Sequence, residues 1–143
     1  MSKRLPELYA FDILIAAAKI REVVGRFDDA QNLRHDFMAW DSVIREFEII
    51  GEAMRGLIDS GYASQSERAI VDFRNVLIHE YFGIDEEEVW GVVTTHLSPL
   101  RERIRELVHG MEKSLREELI AELCDENRHL PFVVDELKSL KPE

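Results

Sequence analysis

Residues 72 to 83 read Asp72-Phe73-Arg74-Asn75-Val76-Leu77-Ile78-His79-Glu80-Tyr81-Phe82-Gly83. An Arg, an amide, a His and a Tyr fall in a run that is otherwise mostly apolar, an odd use of residues for a segment that only fills a core. At about 100° per residue, Ile70, Phe73, Leu77 and Tyr81 share one stripe of a helix, the spacing of a core-facing side. Val71, Ile78 and Phe82 form a second stripe roughly a quarter-turn away, which suggests burial against a partner. His79 lies roughly opposite the first stripe, with Asn75 one turn before it on nearly the same line.

Arg74 and His79 are five positions apart and point about 140° away from each other on a continuous helix. They cannot easily converge on one substrate atom. Either the helix ends near His79, which Gly83 as a C′ residue would permit, or Arg and His meet their counterparts from a second copy across a two-fold axis. The second arrangement is preferred here, and the first stays open.

The rest of the 143-residue chain bounds the answer. Its length is that of one domain able to bury a core. With 45% hydrophobic and 33% charged residues, seven Gly and four Pro, an all-helical soluble domain fits best. Cys124, the single cysteine, rules out an internal disulfide and any multi-cysteine metal site, and reads as a small buried hydrophobe in a reducing cytoplasm. The first apolar run is interrupted by Asp12 and Lys19, so neither a targeting signal nor a membrane span is expected. The net charge of −11 has the wrong sign for holding nucleic acid by counterion release.

Pro6 marks the first residue of a helix over about 6 to 26. The polar stretch Asp28 to Asn32 reads as a connection, and Phe37, Trp40, Ile44, Phe47, Ile50, Met54 and Leu57 mark a second helix over 34 to 59. Gly51 sits in its middle at a cost of about 1 kcal/mol relative to Ala, which points to close helix packing. Glu48 and Glu52, one turn apart, read as a solvated face. Ser64-x-x-Glu67 is a capping box opening a third helix that runs to Gly83, and Asp85-x-x-Glu88 opens a fourth with its acidic residues in the first turn. Ser98-Pro99 is expected to break that helix and start a long amphipathic one over 99 to 128, and Pro131 a short last one.

These residues bring the sequence to a known family. Arg74-Asn75-x3-His79-x-Tyr81 resembles the Arg-x4-His-x-Tyr signature of HepT-type toxins in the HEPN superfamily, and the run from Arg74 to Asp85 is similar to them beyond the signature. Gly51-Glu52-Ala53 matches their Gly-Glu-Ala segment, and Val89-Trp90 fits as well. The likeness covers roughly residues 8 to 110. A second Arg-to-His match, Arg103 and His109, lacks the amide and the Tyr and reads as chance on a solvated face. The lead-in Arg68 to Asp72 lacks a Pro-Trp-like element common in the family.

The resemblance implies a dimeric, all-α antiparallel bundle of four to five main helices, with a HEPN-like region at 1–110 and a C-terminal helical extension of the same domain at 111–143. It implies the toxin of a type VII-like toxin-antitoxin system, a metal-independent endoribonuclease acting on RNA such as tRNA or mRNA. Arg74 and His79 would be catalytic, with Asn75 and Tyr81 supporting. His79 would act as base or acid, since histidine ordinarily titrates near neutrality, and Arg74 would hold the phosphate bidentately. No cofactor is implied. A partner nucleotidyltransferase of the MntA type would neutralise the toxin by moving AMP from ATP to Tyr81, giving O-AMP-tyrosine. The alternative is a catalytically inactive HEPN-fold dimer that binds nucleotide, RNA or a partner protein. Without the tail, residues 1–110 still carry 13 − 20 = −7, so any RNA would be met by a locally basic cleft.

Overall fold

The computed structural model describes residues 4–141, and of Tyr81 the backbone alone. Helix α1, Pro6–Val24, starts with its proline in the first turn, where the missing N–H costs nothing. Its buried side carries Ala10, Phe11, Leu14, Ala17 and Ile20.

The polar stretch expected to be a connection is in part helical. Asp29 accepts from the Asn32 amide at 2.8 Å and opens α2, Ala30–His35, which buries Ala30 and Leu33 one turn apart. The second main helix, α3, therefore starts at Phe37 and not at 34. Asp36 caps it through the Ala39 amide at 3.1 Å, and it runs to Asp59. Trp40, Ile44, Phe47, Ile50, Met54 and Leu57 are buried as the periodicity predicts. Phe37, in the first turn, is 71% exposed. A Cβ on Gly56 would stand 2.5 Å from the ring of Tyr9, so the bare backbone there sets how closely α1 and α3 approach.

Gly61, at φ 85°, turns the chain back from α3. The Ser64 to Glu67 capping box forms, but it opens a single 3₁₀ turn, Gln65–Glu67, and α4 follows as Ala69–His79. This helix is shorter at both ends than the expected span from Ser64 to Gly83. It packs on α3, with Phe73 edge-on to Phe47 at 5.3 Å between ring centroids. Leu77 and Val71 are buried, while Ile78 and Phe82 of the second stripe are 42% and 93% exposed. The helix stops at His79 because Glu80, at φ −122° and ψ 34°, leaves the helical region. Tyr81–Gly83 then makes a 3₁₀ turn in which the Gly83 amide donates to the Glu80 carbonyl at 2.8 Å. Gly83 is not a left-handed cap, since Gly61 is the one positive-φ residue among the described residues.

Asp85 opens α5, Glu86–Gly91, by accepting from the Glu87 amide at 2.9 Å; of the four carboxylates expected in the first turn, Glu86, Glu87 and Glu88 lie in it and Asp85 is the cap. Pro99 does not break the chain. Residues Val92–His96 form a wider π-type turn that leads straight into α6, Leu97–His109. The ladder shifts register there, which makes room for the proline ring and its missing donor. Thr94 Oγ1 donates to the Trp90 carbonyl at 2.9 Å within that turn.

The expected helix over 99 to 128 is instead two helices, because the chain leaves α6 at Gly110. Glu112 caps α7, Lys113–Glu126, through the amides of Ser114 and Leu115 at 3.0 and 2.8 Å. Helix α8, Pro131–Lys138, packs on α1 and α7 and buries Val133 and Leu137. Glu136 of α8 is nearly buried and accepts from Arg101 at 3.0 Å and Arg105 at 3.0 Å, both on α6. Cys124 is half-buried rather than fully enclosed. The described residues contain helices and turns and no strand.

Candidate functional site

The middle of α3 and the body of α4 meet at Gly51. A Cβ placed there would lie 2.2 Å from the Arg74 Cβ, 2.6 Å from its Cγ and 3.2 Å from the Ile70 carbonyl. The glycine thus seats the stem of Arg74 against the α3 backbone, which is the close packing that its mid-helix position predicts.

Past that contact the guanidinium is held in place from two sides. Arg74 Nη2 pairs with Glu52 Oε2 at 3.0 Å, and Arg74 Nη1 donates to Asn75 Oδ1 at 3.1 Å. Arg74 Nε is buried and has no hydrogen-bond partner among the described residues. The side chain is 25% exposed and opens on a cleft of about 500 Å³ lined by Arg4, Tyr9, Asp12, Glu48 and Glu52 among others. Arg4 pairs with Asp12 across this cleft at 2.7 Å, while burial pushes the Asp12 carboxyl above its usual range against that attraction. Glu52 is 60% exposed, as the solvated face read from the sequence beside Glu48 implies, and it also holds the guanidinium from one side. The signal was the glycine directly before it, but the 21 positions between Glu52 and Arg74 carry no period that would pair them.

His79 is the last residue of α4, exposed, and makes no hydrogen bond or ion pair among the described residues. Five residues of helix put its Cα about 7.5 Å further along the axis than that of Arg74. The structure brings Arg74, Asn75 and Glu52 together and leaves His79 apart from them. Asn75 is engaged by Arg74 and not by the imidazole it precedes by one turn. The apolar side chains around His79 are open, with Val76 40% and Ile78 42% exposed and Phe82 more so. The side chain of Tyr81, the expected modification site, lies outside the described residues.

The second Arg-to-His match has a structural role on its arginine side. Arg103 Nε donates to Glu67 Oε1 at 2.6 Å and ties α6 to the turn that precedes α4. Among the described residues no group of three or more His, Cys, Asp or Glu side chains is placed to hold a metal ion, and no helix is long and apolar enough to cross a membrane.

Residues 13–107 match the sequence model of a family described as ribonuclease HepT-like. Among curated proteins of Methanocaldococcus jannaschii, the chain is 31% identical over 107 residues to "Putative RNase MJ1380", which covers 73% of this chain and 97% of that protein. It is 26% identical over 117 residues to "Putative RNase MJ0127", covering 78% of this chain and 94% of that protein. A match of 31% over 68 residues to "Putative RNase TTE0752" of Caldanaerobacter subterraneus covers 46% of this chain and 61% of that one. No solved structure gives a significant match.

Proposed function

The chain belongs to the ribonuclease HepT-like family, and from that premise we propose that it is an endoribonuclease that acts as the toxin of a toxin-antitoxin pair and cuts RNA with its own side chains, without a metal. The observation that carries the reading is the state of the signature on α4: the helix ends at His79 and leaves the imidazole exposed, while Arg74 is anchored at a cleft by Glu52 and Asn75.

In the proposed reaction a neutral imidazole takes the proton of a ribose 2′-OH, and the oxygen attacks the adjacent phosphorus. The bond to the 5′-oxygen breaks, and that oxygen leaves with a proton supplied by an acid. The products are a 2′,3′-cyclic phosphate and a free 5′-OH. Arg74 stabilises the charge that gathers on the phosphate oxygens, with its position fixed beforehand so that little reorganisation is needed. The 140° divergence of Arg74 and His79 on one helix favours a homodimer in which the histidine of one copy serves the arginine of the other. The exposed Val76, Ile78 and Phe82 beside His79 give such a second copy an apolar surface to cover.

Neutralisation follows from the same site. A nucleotidyltransferase antitoxin would attach AMP to Tyr81: the phenolic oxygen bonds to the α-phosphorus of ATP, pyrophosphate leaves, and the phenolic proton goes to solvent. The added phosphate and nucleoside would bring bulk and negative charge to the signature two residues after His79, in competition with a substrate phosphate.

The test is induced expression in a host without the antitoxin. Wild type should arrest growth and yield RNA fragments ending in 2′,3′-cyclic phosphate, and His79→Ala should do neither. Arrest by the His79→Ala chain equal to that of wild type would overturn the reading.

A further inference from the structure

The face of α3 that holds Arg74 continues one turn further to a second, smaller cleft. It measures about 230 Å³ and is lined by Arg55, Asp59, Gln65, Arg68 and Asn75, together with the apolar Ile58 and Val71. Asn75 belongs to both places: its Oδ1 accepts from Arg74, and its side chain lines this cleft. Arg68 is already occupied, with Nη1 on Gln65 Oε1 at 3.0 Å and Nε on Asp72 Oδ1 at 3.2 Å. Arg55 is different. It is exposed and makes no hydrogen bond or ion pair among the described residues, on a chain of net charge −11 where most arginines have an acid within reach.

Resting on the ribonuclease reading, we propose that Arg55 binds a backbone phosphate of the RNA next to the one held at Arg74, with the Asn75 amide group between the two. Arg55 lies three residues after Glu52, on the same side of α3, so its backbone stands about one helical turn from the residue that pairs with Arg74. A free guanidinium offers the planar fork that fits phosphate oxygens. Among the described residues no aromatic side chain lines the cleft for a base to stack on, and it is smaller than the roughly 300 to 1,000 Å³ of a drug-sized ligand site, so it suits backbone and not base. Asp59, the one carboxylate in the lining, and Asp72 beside Arg68 keep the contact weak. Grip on RNA along this track is therefore indifferent to sequence and sensitive to salt.

The experiment measures binding of a single-stranded RNA oligonucleotide to the full chain in a His79→Ala background, over a range of salt, with and without Arg55→Gln or Arg55→Lys. The same substitutions in the active chain give kcat and KM for cleavage. Arg55→Gln should weaken binding about tenfold and reduce the slope of log K against log salt by about 0.7, the value of one phosphate contact on a single strand. It should raise KM with kcat near that of the parent, whereas Arg55→Lys should keep the slope. Thermal midpoints should not move, because the residue is exposed and unpaired. If the active chain cuts RNA and Arg55→Gln shares its KM and salt slope, the Arg55 assignment is wrong and the ribonuclease reading survives. If the parent neither binds nor cuts RNA, that reading fails and this one falls with it.

Discussion

At the scale of single residues the site depends on one missing methyl group. Ala is the better helix former by about 1 kcal/mol, yet a Cβ at position 51 would overlap the Arg74 stem at its stiff, backbone end. Forcing α3 and α4 apart costs about 1 to 3 kcal/mol, so Gly51→Ala should lower the thermal midpoint by a few degrees. Gly91→Ala, where nothing lies within 4 Å of the added carbon, should leave it unchanged or raise it. A Gly51→Ala chain melting above wild type would show that Arg74 is not seated there. Gly51 was legible in the sequence as a residue that packing needs, because a mid-helix glycine has few other reasons to exist. Glu52 was not, because its partner sits on another helix and the register of α3 on α4 is set by bulk side chains such as Phe47 and Phe73. Arg55 gave no signal either, as an unpaired arginine on an exposed face looks like any other until its neighbours are known.

At the scale of elements, capping chemistry was the most legible feature and proline the least reliable. Ser64, Asp85 and Pro6 open turns or helices where their side chains or ring require it. Asp29 and Asp36 do the same for α2 and α3, but a polar run with little period hid the short helix between them. Pro99 looked like a break and is carried through by the π-type turn before it, with Val92 and Leu100 both packed against the core. The Glu67 pair with Arg103 joins two of these elements, and its pH dependence tests it. The Arg103 guanidinium and, to a lesser extent, the Ser64 amide hold the Glu67 carboxyl below its usual range, although burial opposes them. Because the folded value is depressed, this contribution is complete above the ordinary glutamate range near 4.5 and is lost as pH falls through the folded value. Glu67→Gln should therefore cost about 1 kcal/mol at neutral pH, from the lost cap and ion pair. The difference should close as chemical denaturation is repeated below pH 4; a constant difference across pH would rule out the charged pair as its source.

At the scale of the whole molecule, an acidic chain is asked to handle an acidic polymer. The cations offered to it are few and local: Arg74 and Arg55 line neighbouring clefts beside α3 and α4, each shared with carboxylates, Asp12, Glu48 and Glu52 in the first and Asp59 in the second. The all-helical class was legible from period and composition, and the family from the signature on α4. The division of α6 from α7 was not, since Gly110 interrupts an apolar period that reads through it. That Arg74 and His79 cut RNA is tested most directly by cleavage of total RNA and tRNA by the purified chain in EDTA. Intact mass should first confirm that Tyr81 carries no AMP. Wild type should cut, and Arg74→Ala and His79→Ala should be slower by about 10² to 10⁴. Cleavage by His79→Ala at the wild-type rate, or no cleavage by the unmodified wild type, would contradict it.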